Sequence, residues 1–309
     1  TPGASYPWYP LMVVNVPNID AEIVYHLHEG NQLVSFYNLP DDNSLTGVFD
    51  QLEDKIFAVL GEGVVSQLLP TGNWVGSLET IKRDNGYWII MNDGNELWLE
   101  GGYTDRDLTY ELHYGSNLVS YPFVEAGYPE DVIPDAENFN GIIGQGIAAA
   151  YIDGQWVGSL DALKSKSGYW FKVHEDISFQ YNPPAQYSAF PDSLYRDNET
   201  LTYHGYIQNY ELPEILEYKQ SNSQAFYFVG DITDVELEKG DMLVALHNDN
   251  VVGARYWNWD GNYTDIPVMG KSELIASTSD YITLGETPEL HVLKTDGEWI
   301  RLGGDITPY

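Results

Sequence analysis

Two stretches of this 309-residue chain carry nearly the same text. Leu27-His-Glu-Gly-Asn-Gln-Leu-Val-Ser-Phe36 returns as Leu112-His-Tyr-Gly-Ser-Asn-Leu-Val-Ser-Tyr121, an offset of 85 between positions 27 and 112. Gly61-Glu-Gly63 returns as Gly144-Gln-Gly146 at an offset of 83. Asn73-Trp-Val-Gly-Ser-Leu78 and Gly86-Tyr-Trp88 return as Gln155-Trp-Val-Gly-Ser-Leu160 and Gly168-Tyr-Trp170 at 82. The order of motifs is kept and the spacing slips by three residues. Such a pattern marks a duplicated folding unit, so any architecture for this chain must contain the same module twice.

The expected fold is mainly β with short helices, a β-rich α+β arrangement. Its parts are an N-terminal arm and strand (residues 1–25), module one (26–107), module two (108–182), a linker (183–198) and an Ig-like β-sandwich (199–309). In the arm, Pro2, Pro7 and Pro10 oppose a helix, and Leu11-Met-Val-Val-Asn-Val16 reads as an apolar strand. That strand either completes module one or leaves its own subunit to extend a neighbour's sheet. Within module one, Leu45, Val48, Phe49, Leu52, Ile56 and Leu60 recur at spacings of three and four, which predicts a short amphipathic helix. Module two is richer in Pro and acids over 128–138, so its helix is shorter or absent. After the linker, short strands are read at 225–229, 242–247, 251–257, 289–294 and 299–302, separated by Asn, Asp and Gly turns.

Charge narrows the partners. Lys and Arg total 14 against 47 Asp and Glu, a formal charge of −33. Phosphate binding needs a basic surface, so nucleic acid is disfavoured, as is an anionic membrane surface. No run is long enough to insert in a membrane. The surface is strongly self-repelling and is best tolerated in salt, where screening is effective. The absence of cysteine removes disulfides, thiol nucleophiles and Cys-ligated zinc. The chain begins at Thr1, which is read as a mature extracellular product after removal of an export signal.

No catalytic constellation stands out, and no enzyme is expected. The copied histidines His28 and His113 lack a duplicated nucleophile and orienting acid, and read as strand-edge structural residues. Ser77 and Ser159 read as turn residues. The copied tryptophans Trp74 and Trp156, and Trp88 and Trp170, read first as core packing and second as platforms for sugar rings. Gly76, Gly86 and their copies fit positions of positive φ or close backbone approach. Asp93, Asp249, Asp296 and above all Asp260, Asn262 and Asp265 offer the oxygen ligands calcium prefers, although hairpin turns favour the same residues on backbone grounds. No other cofactor is expected. The aromatic group Tyr256, Trp257, Trp259 and Tyr263 is the candidate ligand or subunit contact. Leu11, Val13 and Val14 are its counterpart in the arm.

Asn117-Leu-Val-Ser-Tyr-Pro122, Gln155-Trp-Val-Gly-Ser-Leu160 and Ser167-Gly-Tyr-Trp170 together resemble a recurrent module of secreted proteins from marine and gliding bacteria, found beside sorting domains of the type IX secretion system. Module one departs from it at Phe36-Tyr-Asn-Leu-Pro40. Lys239-Gly-Asp-Met-Leu-Val-Ala-Leu246, Val252-Gly-Ala-Arg255 and Ile266-Pro-Val-Met-Gly270 resemble a companion domain of the same proteins. The resemblance covers about two thirds of the chain and implies an extracellular, non-catalytic, β-rich protein. The leading expectation is thus a structural subunit that self-associates into a filament or surface layer. The alternatives are a polysaccharide-binding or adhesion protein of the cell surface, and a virion fibre or decoration protein.

Overall fold

The duplicated text folds twice into the same sheet. The structure, a computed structural model, describes residues 21–184, 211–258, 261 and 263–309. Module one contains β1 (Ala21–Leu27), β2 (Gly30–Ser35), β3 (Asn38–Leu39), α1 (Leu45–Phe49), β4 (Ile56–Gly61), β5 (Val64–Leu68), β6 (Trp74–Gly76), β7 (Gly86–Met91) and β8 (Asn95–Tyr103). Module two contains β9 (Tyr110–Leu112), β10 (Gly115–Val119), α2 (Pro129–Val132), β11 (Phe139–Ile143), β12 (Ala148–Ile152), β13 (Gln155–Gly158), β14 (Tyr169–Val173) and β15 (Ile177–Phe179). The five-stranded sheets run β2-β7-β4-β5-β6 and β10-β14-β11-β12-β13, the same order in both copies. The flanking pairs also correspond: Leu27 faces Asn95 across β1 and β8, and Leu112 faces Ile177 across β9 and β15. Because β1 is part of this unit, module one starts by residue 21, inside the segment assigned to the arm. Leu11–Val16 and residues 185–198 of the linker lie outside the described residues.

Copied residues do copied work. Tyr25 and Tyr110, Phe36 and Tyr121, Leu78 and Leu160, Ile81 and Leu163 are all buried in their own modules. The Tyr87 hydroxyl accepts the Lys82 N–H at 2.7 Å, and the Tyr169 hydroxyl accepts the Lys164 N–H at 2.7 Å. Gly76 and Gly158 hold φ of 153° and 131°. A Cβ there would lie 2.1 Å from the Val65 carbonyl oxygen or 2.3 Å from that of Ala148, so only glycine closes these strand ends. Ser77 and Ser159 anchor the same junction, each accepting a strand N–H (from Val65 and Ala148) at 3.2 Å.

The helix expected over Leu45–Leu60 is cut short. Ser44 caps α1 by accepting the Gly47 N–H, and a 3₁₀ stretch follows over Asp50–Lys55. Glu53 interrupts that stretch with φ 46° and ψ −125°. The apolar run from Ile56 then enters the sheet between β5 and β7, although its spacing also suits a helix.

The two modules face each other about a pseudo-two-fold axis. Val34 bridges Ser167, and its copy Val119 bridges Asn85. The Ser35 N–H donates to the Lys166 carbonyl at 3.0 Å, and the Ser120 N–H to the Asp84 carbonyl at 3.0 Å. Leu33, Trp88 and Leu118 are buried together with Leu60 and Trp170 packed against them, so two of the copied tryptophans serve the seam between modules. This is the geometry of an isologous dimer interface within one chain. Gly86 and Gly168 meet on the axis. A Cβ on Gly168 would sit 2.7 Å from the Val34 carbonyl oxygen and 3.1 Å from the Gly86 Cα, both backbone atoms. Gly168→Val is therefore expected to cost about 1–3 kcal/mol in a thermal or denaturant melt, as overpacking against an unyielding neighbour does. A wild-type melting curve for that variant would show that the seam is loose.

The matched Gly-x-Gly turns clasp the seam from either side. Glu62, at the β4–β5 turn, accepts the Leu118 N–H at 2.9 Å with one oxygen and meets His113 Nε2 at 2.5 Å with the other. Gln145, at the matching turn, accepts the Leu33 N–H at 3.0 Å and donates to the Asn31 carbonyl at 3.2 Å. The histidines are structural at both strand edges: His28 and His113 donate their N–H groups to Gln32 and Asn117. His113 is held above the ordinary histidine range by the Tyr114 carbonyl first and by Glu62 second. A raised folded-state value means its contribution is present below pH 6.5 and fades as pH rises through that folded value. Glu62→Gln keeps an acceptor for Leu118, as Gln145 does for Leu33. It is expected to leave stability at pH 8.5 within about 0.5 kcal/mol of wild type, as a surface substitution does, while flattening the rise between pH 8 and 6. Parallel denaturation series at those pH values check this.

The C-terminal domain contains β16 (Gln224–Val229), β17 (Met242–His247), β18 (Asn250–Tyr256), β19 (Thr264–Met269), β20 (Glu289–Leu293) and β21 (Trp299–Arg301). A four-stranded antiparallel sheet, β18-β17-β20-β21, and the β16-β19 pair enclose one core that includes Leu243, Val252, Ile266 and Val292. The domain is β-rich as expected. Its six described strands are one fewer than the seven of an immunoglobulin constant domain. β19, absent from the sequence reading, holds Pro267 in its middle.

Candidate functional site

Two surfaces gather the unshared residues of the chain: the β16 edge with its surroundings, and a cleft on module one. β16 joins the C-terminal domain to module two. Tyr227 and Val229 pack against the domain's own core. Gln224 reaches the other way, its Nε2 donating to the Gly144 carbonyl at 2.8 Å and its Oε1 accepting the Gly146 N–H at 3.3 Å. The Phe228 ring lies against Gly158, where a Cβ would come within 2.9 Å of it. Both faces of β16 are thus occupied, and one of its two edges is hydrogen-bonded to β19. The other edge pairs with no described strand. A groove of about 580 Å³ runs along it, walled by Ala225–Asp231 and the C-terminal residues Asp305–Tyr309. The Tyr227 hydroxyl donates to the Thr307 carbonyl at 2.9 Å, and the Ser223 and Tyr309 hydroxyls meet at 2.7 Å, which hold the far wall in place.

Across the β16–β19 ladder from the groove sits the pair Arg255–Asp265, its carboxylate buried and its guanidinium partly exposed. Arg255 Nη2 is 3.2 Å from Asp265 Oδ2 and also donates to the Gly146 carbonyl at 2.8 Å. Arg255 Nε donates to the Asp265 carbonyl at 2.9 Å, and the Ser159 hydroxyl donates to Asp265 Oδ2 at 2.5 Å. Burial pushes the Asp265 carboxyl above its ordinary value, with Arg255 and Ser159 opposing the shift. These contacts correct the assignment of Asp265 as a calcium ligand, because a guanidinium occupies the place a cation would take. Asp260 and Asn262 lie outside the described residues. Among the described residues no group of three or more His, Asp or Glu side chains is arranged to hold a metal.

Of the aromatic group, Trp259 lies outside the described residues and the others are half-buried on their own domain. Trp257 packs on the core containing Leu243 and Val252, and Tyr256 on the one containing Met242 and Val244. The Trp257 N–H donates to the carbonyl of Asp241 at 2.8 Å. The Asp241 carboxylate accepts from Lys294 Nζ at 2.6 Å, the Glu238 N–H at 2.8 Å and the Thr295 N–H at 2.9 Å. Burial alone would raise its pKa, and these donors more than reverse that, leaving it lowered. Tyr263 covers Gly230 at the end of β16. Tyr263 therefore lies at the end of β16, while Tyr256 and Trp257 pack on the cores of their own domain. The strand edge itself was not singled out in the sequence. Its signal was an uncharged, Pro-free run, Gln224-Ala-Phe-Tyr-Phe-Val229.

The cleft on module one has a volume of about 530 Å³ and lies between the α1–3₁₀ segment and the β5–β6 loop. No protein-family model, curated protein or solved structure matches this chain. No helix among the described residues is long and apolar enough to cross a membrane.

Proposed function

We propose that this protein is an extracellular, non-enzymatic structural subunit that self-associates into a filament or surface layer. In this reading the apolar strand Leu11–Val16 of one copy adds to the β16 edge of the next. The observation that carries it is the edge itself. An edge strand with no charge, no proline and no bulge is a template for further pairing, and proteins normally blunt or cover such edges. By contrast β21, at the margin of the other sheet, carries Arg301. β16 has six residues, about 20 Å at roughly 3.3 Å per residue, and the six residues Leu11–Val16 would match that length if they paired with it as a strand. Main-chain hydrogen bonds would supply affinity, and the groove beside Tyr227 would select the side chains.

The remaining features support the same reading. A charge of −33 keeps copies apart unless a specific contact joins them, and salt softens that repulsion. The seam between modules and the Arg255–Asp265 link tie the three units to one another, as a subunit that carries load requires. Electron microscopy and mass photometry test the proposal on the full chain and on the chain lacking residues 1–20. End-to-end polymers that vanish on truncation are expected. A full chain that stays monomeric at high concentration, its arm seated on its own β16, would overturn it.

A further inference from the structure

The slip in the repeat has a location. Module one gains two residues on module two between β2 and β4, where the offset falls from 85 to 83, and one more between β5 and β6, where it falls to 82. The first gain lengthens the segment that carries α1 and Glu53. The second makes the β5–β6 turn three residues, Pro70-Thr71-Gly72 between the hydrogen-bonded Leu69 and Asn73, where module two turns through Asp153-Gly154 between the paired Ile152 and Gln155. Both gains line the 530 Å³ cleft, a volume within the range of about 300–1,000 Å³ typical of small-ligand sites.

From these residues we infer that module one carries a saccharide-binding site centred on Trp74, for neutral or amine-bearing sugars. Trp74 is half-buried, lines the cleft and leans on Phe49 with ring centroids 6.1 Å apart. An indole fixed from behind is a platform for the C–H face of a pyranose ring, which buries apolar area without a charge. Around it stand the carboxylates of Asp50, Glu53 and Asp54 and the amide of Gln67, acceptors and donors for sugar hydroxyls. Three carboxylates at one mouth repel uronic acids and sulfate esters, which sets the charge class. Its copy Trp156 packs against Tyr151 at 5.3 Å instead.

Glu53 supplies a second argument. Its φ of 46° with ψ of −125° is a conformation that glycine adopts freely and a side chain does not. A carboxylate is kept there at a conformational cost, which is the pattern of a residue retained for contact rather than for folding. The inference is independent of self-association, since the cleft lies on module one and the β16 edge on the C-terminal domain.

Isothermal titration calorimetry of the full chain against hexasaccharides is the test. The panel is a neutral β-glucan, a chitin oligomer, a chitosan oligomer and an alginate oligomer, with spermine as an amine lacking a sugar ring. Binding to at least one neutral or amine-bearing oligomer, and none to alginate, is expected. Trp74→Ala should weaken it about tenfold or more, while Trp299→Ala, at an exposed tryptophan of the C-terminal domain, leaves it unchanged. Glu53→Gly covers the case in which Trp74→Ala unfolds the module: it should weaken binding at least about threefold while the melting temperature holds or rises. Silence across the sugars at millimolar concentration overturns the inference. So does binding of spermine alone, or binding that survives both Trp74→Ala and Glu53→Gly.

Discussion

Asp265→Ala is expected to destabilise the C-terminal domain by about 3 kcal/mol, the low end of the effect of removing one partner from a buried ion pair, because the Arg255 guanidinium left behind keeps some solvent contact. The substitution leaves the Arg255 guanidinium in the interface, holding the Gly146 carbonyl and facing no carboxylate. It also strips the Ser159 hydroxyl of its acceptor. Most of the loss is this stranded charge rather than the worth of the original pair. The double variant Arg255→Met/Asp265→Leu, apolar on both sides, should therefore recover most of the stability. Because Asp265 has a raised folded-state pKa, its own contribution is greatest below its unfolded value near 3.8 and declines as pH rises through the folded value. Asp241 has the opposite sign: its stabilisation is present above about pH 4 and is lost as pH falls through its lowered folded value. Urea melts at pH 7 and pH 4 check the first statement, and melts carried below pH 3 the second. The deficit of Asp265→Ala should be larger at pH 4 than at pH 7, and an equal deficit at both values would mean that the folded-state pKa of Asp265 is not raised.

That interface was not legible in the sequence, whereas the modules were. Tyr87 and Tyr169, or Gly76 and Gly158, recur because each must solve the same local problem, so a repeat in text predicts a repeat in strand order. Contacts between units leave no such trace. Glu62 and Gln145 match only as residues between two glycines, yet each reaches the opposite module, and Gly144 and Gly146 also receive Gln224 and Arg255 of the third domain. Two local signals run against the fold. Ile56 and Leu60 fit a helical spacing that began at Leu45, but α1 stops at Phe49 and Glu53 breaks the 3₁₀ stretch that follows it. Pro267 hid β19, because proline in a central strand normally argues against one. The cleft beside Trp74 was present in the text only as an offset slipping from 85 to 82, a departure from likeness that matters more than the likeness for what module one can bind.

Phe226→Pro is expected to abolish self-association and leave the fold standing, whereas Tyr227→Pro should cost about 3 kcal/mol or more of stability. The ladder decides which is which. The Gly270 N–H donates to the Ser223 carbonyl at 2.8 Å, so Ser223–Gly270 is a hydrogen-bonded pair. In an antiparallel ladder such pairs alternate, and the register Gln224–Met269 through Val229–Thr264 carries the alternation to Ala225, Tyr227 and Val229. Those residues spend their N–H groups on β19. Gln224, Phe226 and Phe228 direct theirs to the open edge. Pro267 confirms the phase, since it faces Phe226 at a position where this ladder asks for no N–H. Proline at 226 therefore removes one outward donor from the centre of the edge and places a ring where an incoming strand must approach. Association should weaken at least tenfold by mass photometry, with a melting temperature close to wild type. The same loss of polymers should follow from deleting residues 1–20, and adding both changes together should do no more than either alone. Polymers that persist in Phe226→Pro but not in the truncated chain would place the arm on another surface. Polymers that persist in both would show that the uncovered edge of β16 is not what joins one copy to the next.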